Sequence, residues 1–379
     1  MSLFIHGVRT VFAVLGLWAL TACGTPAPVT PSLQVDSVVA PQQVASNGRM
    51  RTDPRGGWLA TWPGVHWTLR FSGRAVGVEI DDRASHWLLE IDGQPVRHIA
   101  PDAAQAQAQR TVWVRDLAPG EHTARLLKRT ESPQAAGRFV AFHLGPGAVP
   151  LAPKAALPRR IEFIGDSFTA AMGNMSNSRE CSGPEISART DITQGFAVLT
   201  ARALHADWQI HAKSGAGLVR NWAGKLPLEN HGTHYAKTLQ TDAQPTAVWD
   251  WQPQVVVIGL GTNDFSTPVE PGEPRDAAEL ERAFVTQYKR LITQLRYAYR
   301  DPVFVLLSLP LHRGDKLRPI VQRLVQEENA AGFTKVVALD WGPLQVRGCG
   351  SHPDAEDHRH MARLLTHTIR TALPGWNSD

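Results

Sequence analysis

Two hydrophobic rhythms divide the chain. From about Leu33 to Leu144, apolar and polar positions alternate in short runs separated by turn residues. Trp67-Thr68-Leu69-Arg70-Phe71 passes through Ser72-Gly73 into Val76-Gly77-Val78-Glu79-Ile80, and Leu88-Leu89-Glu90-Ile91 turns at Asp92-Gly93. Thr111-Val112-Trp113-Val114, Thr123-Ala124-Arg125-Leu126-Leu127 and Phe139-Val140-Ala141-Phe142 continue the pattern. A period of two sends successive side chains to opposite faces, so this stretch predicts an antiparallel all-β sandwich or jelly roll, with its tryptophans in the core. After Pro150-Leu151-Ala152-Pro153 the rhythm changes. Ile161-Glu162-Phe163-Ile164, Trp208-Gln209-Ile210, Val255-Val256-Val257-Ile258, Val303-Phe304-Val305-Leu306-Leu307 and Val336-Val337-Ala338-Leu339 are apolar runs of strand length separated by stretches with helical spacing. Strands buried on both faces alternating with helices predict an α/β domain built on a parallel sheet. Reacting groups in such a sheet belong just past the carboxyl ends of the strands.

The first residues follow neither rhythm. Arg9 precedes an apolar run from Val11 to Leu20 that is short for a membrane span and ends in small residues, as an export signal does. Leu20-Thr21-Ala22-Cys23-Gly24 resembles a bacterial lipobox, which implies cleavage before Cys23, lipid on its thiol and residence on a membrane facing the periplasm or the cell surface. Pro26-Ala27-Pro28-Val29-Thr30-Pro31 reads as an extended tether. The expected organisation is a signal peptide over 1–22, a tether over 23–32, a β domain over 33–148 and an α/β domain over 155–379. The net charge of +4 over 379 residues, with no run of five like charges, gives a nucleic-acid partner no electrostatic support. With Cys23 assigned to lipid, Cys181 and Cys349 remain of the three cysteines. An oxidising compartment lets them pair, two free thiols being the alternative, and pairing is the expectation because each lies near a motif that must meet the other in space.

The motifs follow the strands. Gly165-Asp166-Ser167-Phe168-Thr169 puts a serine in a tight turn directly after the first parallel strand, where a following helix N-terminus would add amide donors. Ser214-Gly215-Ala216-Gly217 follows the second and Gly259-Leu260-Gly261-Thr262-Asn263-Asp264 the third. Glycine lets a backbone amide approach a substrate oxygen, and asparagine adds a neutral N–H donor. Cys349-Gly350-Ser351-His352-Pro353-Asp354 precedes the last helical stretch and supplies a general base in His352. A metal site built from His352, His358 and His360 is disfavoured, since no His-Glu-x-x-His pattern is present and the serine, glycine and asparagine blocks would go unexplained.

In order and content these blocks resemble those of SGNH (GDSL-type) hydrolases. The resemblance implies a three-layer αβα domain in which Ser167 is the nucleophile, His352 the base, and the Ser167 amide, Gly215 and Asn263 the oxyanion donors. Asp166 is expected to order the serine turn; Asp166, Gly217, Asn221 and Asp264, in or just after these blocks, are expected at the substrate, and no metal or organic cofactor is implied. The preceding β domain, Lys128-Arg129-Thr130-Glu131 near its end, Arg220-Asn221 after the second block and Cys349 ahead of His352-Pro353 narrow the similarity to the acetyl esterases of carbohydrate esterase family 2. That implies removal of O-acetyl groups from xylan, glucomannan and related glycans, often at the primary 6-position. A non-catalytic carbohydrate-binding lipoprotein, and an esterase acting on O-acetylated peptidoglycan or small esters, are the competing readings. One departure stands out: superfamily members often carry Asp two or three residues before the histidine, where this chain has Gly350 and Cys349. The expectation is a Ser167–His352 dyad whose imidazole is held by a backbone carbonyl of the Cys349 segment, with Asp354 and Asp357 serving the helix.

Overall fold

A computed structural model describes residues 37–101, 109–309 and 314–377. The signal peptide, Cys23 and the tether lie outside the described residues. The alternating stretch forms two antiparallel six-stranded sheets. One is built on Val76–Asp81 and Gly137–Leu144, the other on His66–Ser72, Trp87–Ile91 and Glu121–Lys128. The inward residues of both, among them Trp67, Trp87, Phe71, Leu126 and Phe139, close one core with no solvent exposure, so these tryptophans are packing residues.

The five apolar runs form a parallel sheet of β1 (Arg159–Gly165), β2 (Ala206–Ala212), β3 (Val255–Gly259), β4 (Val303–Ser308) and β5 (Val336–Asp340), in the order β2-β1-β3-β4-β5. One face packs on α1 (Phe196–Ala203) and α4 (Ala355–Ala372), and the other on α2 (Ala277–Ala298) and α3 (Leu317–Ala330). Burial on both faces is why these strands read as unbroken apolar runs. The chain leaves β1 for β2 on one side and later returns to β3 on the other. That reversal opens a crevice at the carboxyl ends of β1 and β3, where the serine and asparagine blocks begin.

Sandwich and parallel sheet belong to one compact unit spanning Val35–Asp379. Polar contacts tie them together: Trp62 Nε1 donates to Thr238 O at 3.0 Å, Gln240 N to Thr61 Oγ1 at 2.8 Å, and Arg202 pairs with Glu90 at 2.6 Å.

Candidate active site

β1 ends at Gly165, where a Cβ would stand 2.1 Å from Thr169 Oγ1 and 3.0 Å from Gly259 O, so the close approach of β1, its turn and β3 requires glycine. The expected helix does not start at Ser167. Residues 167–175 form successive turns, with Ala170 N donating to Asp166 O at 2.9 Å and Met172 N to Ser167 O at 3.0 Å. Ala171, at φ +57°, takes a left-handed conformation that a helix cannot continue through. The Asp166 carboxylate accepts from Phe168 N at 3.0 Å and fixes the turn; burial pushes its pKa up to about 7, against the pull of that amide.

His352 arrives from the other end of the chain. Its Nε2 lies 2.8 Å from Ser167 Oγ and its Nδ1 lies 2.9 Å from Cys349 O. A carbonyl can only accept, so Nδ1 carries the proton and Nε2 is the acceptor for the serine hydroxyl. Burial holds the imidazole pKa below its ordinary value, although the backbone carbonyl pulls it up. The orienting carbonyl belongs to a turn with Gly350 at φ +62° and Ser351 at φ +60°, and a Cys181–Cys349 disulfide tethers that turn to the segment following the serine.

Gly215 adopts φ +77° in the loop after β2, and the backbone N–H groups of Ser167 and Gly215 have no acceptor among the described residues. Two free amides next to a nucleophile are the raw material of an oxyanion hole. Asn263 joins them less simply: its Nδ2 already donates to Asp166 Oδ2 at 3.2 Å and to Ala216 O at 3.0 Å, so donation to an oxyanion must share one of those hydrogens. A cavity of about 270 Å³ opens over this centre, walled by Phe168, Trp222, Leu309, Leu344 and Val346 and including Ser167, Asn263 and His352. A larger depression of about 670 Å³ is lined by Phe265, Thr267, Glu270, Glu273, Asp276 and Lys316 among others, but no serine or histidine lines it, so the chemistry stays at Ser167. No group of three or more metal-ligating side chains is found among the described residues.

Residues 46–153 match the carbohydrate esterase 2 N-terminal family and residues 163–364 the GDSL-like lipase/acylhydrolase family. An acetylxylan esterase / glucomannan deacetylase of Cellvibrio japonicus is 37% identical over 309 residues, covering 80% of this chain and 83% of that protein. The chain belongs to carbohydrate esterase family 2. A family-two carbohydrate esterase from Clostridium thermocellum, solved in complex with cellohexaose, is 32% identical with a TM-score of 0.78 over 88% of this chain and 99% of that one. The cellulase/esterase CelE of Acetivibrio thermocellus is 35% identical over 87% of this chain, which spans 39% of that longer protein.

The geometry of this esterase revises four expectations about substrate contact. Asp166, Gly217, Asn221 and Asp264 do not line the cavity over Ser167, and neither does Gly215, whose part rests on its open amide; Asp166 does order the serine turn as expected. Asp264 is fully buried and accepts from Leu218, Val219 and Arg220 N at 2.8–2.9 Å, and burial raises its pKa to about 6 against the pull of those amides. Asn221 accepts from Gly217 N at 3.0 Å and donates to Glu229 O at 2.9 Å. A Cβ on Gly217 would stand 1.9 Å from Arg220 O. All four satisfy backbone groups in loops that must leave the sheet abruptly, a need that outranks exposure to ligand. Trp222, which no motif singles out, stands 48% exposed at the cavity with Lys225 Nζ 4.5 Å from its ring centroid. A tryptophan directly after the second block, outside any strand or helix pattern, was the available signal.

Proposed function

We propose that this esterase is exported and removes O-acetyl groups from polysaccharides of the acetylated xylan or glucomannan type. The observation that carries the reading is the Ser167 Oγ–His352 Nε2 pair at 2.8 Å, with the Ser167 and Gly215 amides left without acceptors. Ser167 Oγ attacks the acetyl carbonyl while His352 Nε2 takes its proton, and the negative oxygen of the tetrahedral intermediate sits on the Ser167 and Gly215 amides, with Asn263 sharing a hydrogen. Collapse expels the sugar alkoxide, which takes the proton back from His352 and leaves acetyl-Ser167. Water, deprotonated by the same imidazole, then attacks the acyl-enzyme, and His352 returns that proton to Ser167 Oγ as the acyl bond breaks and acetate leaves. Cys349 O holds the imidazolium in place throughout. Trp222 supplies a flat apolar surface on which a pyranose ring can lie.

Acetate release from acetylated xylan, glucomannan and peptidoglycan, compared between the wild type and Ser167→Ala, tests the proposal. Activity confined to peptidoglycan, or turnover surviving in Ser167→Ala, would refute it. One structural neighbour is described as displaying divergent catalytic and non-catalytic binding functions. Pure glycan binding is therefore the second reading, and it requires Ser167→Ala and wild type to be equally inert. Lipid attachment at Cys23 is supported by the lipobox pattern, and mass spectrometry of the mature N-terminus decides it, an unmodified peptide starting elsewhere excluding the anchor.

A further inference from the structure

The segment that leaves the sandwich strand Glu121–Lys128 runs onto the α/β domain. It is pinned from both sides. Toward the sandwich, the fully buried Lys128 donates from Nζ to Ser85 Oγ and Thr130 O, each at 2.7 Å, and Ser132 N donates to Thr61 O at 2.9 Å. Toward the α/β domain, Arg129 Nη2 donates to Thr190 O at 2.9 Å and Ile192 N to Arg129 O at 3.4 Å. Glu131 lies inside this clamp, and both of its carboxylate oxygens stand 3.1 Å from Ser214 N.

Ser214 directly precedes Gly215. Accepting from the Ser214 N–H, the Glu131 carboxyl fixes the plane of the Lys213–Ser214 peptide, from which the next peptide, carrying the Gly215 N–H, hangs. The rest of the loop is committed as well: Ala216 N donates to Lys213 O at 3.2 Å, Gly215 O accepts from Trp222 N at 3.0 Å, and Ala216 O accepts from Asn263. These bonds engage the backbone on both sides of the Gly215 amide, which itself has no acceptor among the described residues.

We propose that Glu131 is a positioning residue that aims the Gly215 amide at the developing oxyanion, so that the β domain completes the catalytic centre of the α/β domain. Glu131 touches no substrate; it acts through Ser214. The proposal rests on the acyl-transfer reading above.

The test uses the full protein, 4-nitrophenyl acetate as substrate and methylboronic acid as the probe of the tetrahedral anionic adduct on Ser167, with Glu131→Asp, Glu131→Gln and Ser167→Ala compared with the wild type. Glu131→Asp keeps the charge but withdraws the acceptor by one methylene, so kcat should fall by about 10-fold to 100-fold with KM little changed, as for a displaced oxyanion donor. Boronate affinity should weaken in parallel. Glu131→Gln keeps an oxygen acceptor and should retain kcat within about threefold, since geometry rather than charge sets the amide. The proposal is overturned by an unchanged kcat in Glu131→Asp, by a loss carried in KM, by a loss that follows melting temperature while boronate affinity stands, or by Glu131→Gln failing as badly as Glu131→Asp. Turnover surviving in Ser167→Ala would instead sink the acyl-transfer reading, whereas an inert Ser167→Ala beside a normal Glu131→Asp would remove only the role of Glu131.

Discussion

At the scale of single residues, the site separates groups that do chemistry from groups that hold loops, and substitutions should split accordingly. His352→Ala removes the base and should cost orders of magnitude in kcat. Asn263→Ala should lower kcat by roughly 10²-fold through the lost oxyanion donor, checked by steady-state kinetics on 4-nitrophenyl acetate. The nearby carboxylates belong to the other class. Asp354 caps α4, accepting from Glu356 and Asp357 N at 2.9 and 3.0 Å, while Asp357 accepts from Gln345 and Val346 N at 2.9 and 2.8 Å. Neither orients the imidazole, which the Cys349 carbonyl does. Asp354→Asn and Asp357→Asn should each cost less than about tenfold in rate, whereas Asp354→Ala, which deletes the cap, should lower stability by about 1 kcal/mol in thermal unfolding. A thousandfold loss in either Asn variant would expose a carboxylate-dependent triad.

At the scale of elements, the turn carrying His352 is held in a conformation that its own sequence does not favour. Ser351 has φ +60°, in the region open mainly to glycine, and persists because the surroundings over-determine it. Those surroundings are Gly350 N donating to Arg179 O at 2.7 Å, Cys349 N donating to Gly173 O at 3.3 Å and the disulfide to Cys181. Cys181→Ser should therefore act twice. Stability should drop by about 2–4 kcal/mol, as on removal of a long-range cross-link. In molecules that remain folded, kcat should fall with KM little changed, because the carbonyl that aligns the base loses one restraint. An unchanged kcat would mean that the backbone hydrogen bonds suffice. The pairing was open to inference from the compartment and from two motifs that had to meet; the conformation of the turn was not, since Ser351 carries no propensity for positive φ.

Over the whole molecule, buried imidazoles set the response to pH. Burial pushes His66 and His358 down to about 3 and His86, His211, His231 and His234 to about 4. In the unfolded chain each binds a proton near pH 6.5, so their contribution to stability is intact above that pH and is lost as pH falls toward 4. Four carboxyls raised by burial, Asp166 to about 7, Asp264 to about 6, and Asp207 and Glu131, oppose this by binding protons in the folded state. With His352 also lowered by burial, seven imidazoles stand against four carboxyls, so the melting temperature should decline from pH 7 to pH 5; a flat or rising trend would contradict the balance. Activity should decline later than a free imidazole allows. His352 is shifted down by burial and remains a neutral base below pH 6.5, so the acid limb of kcat/KM should lie beneath that value. Much of this architecture was legible in the chain. Apolar runs buried on both faces placed all five parallel strands, alternation placed the principal strands of the sandwich, and the motif blocks pointed to Ser167 and His352, which the fold sets 2.8 Å apart, because periodicity and strand-end position are local properties that residue order carries. Short strands such as Arg51–Thr52 and Val149–Leu151 escaped, having too few residues to show a period. The tertiary structure alone decided which polar residues near those blocks face substrate and which serve the backbone. It withdrew Asp166, Gly217, Asn221 and Asp264 into loop support and brought Glu131, 83 positions before Ser214, against the amide that precedes Gly215. A hydrogen bond between segments so far apart is fixed by how the two domains dock, and no local pattern in the sequence records where that docking puts a side chain.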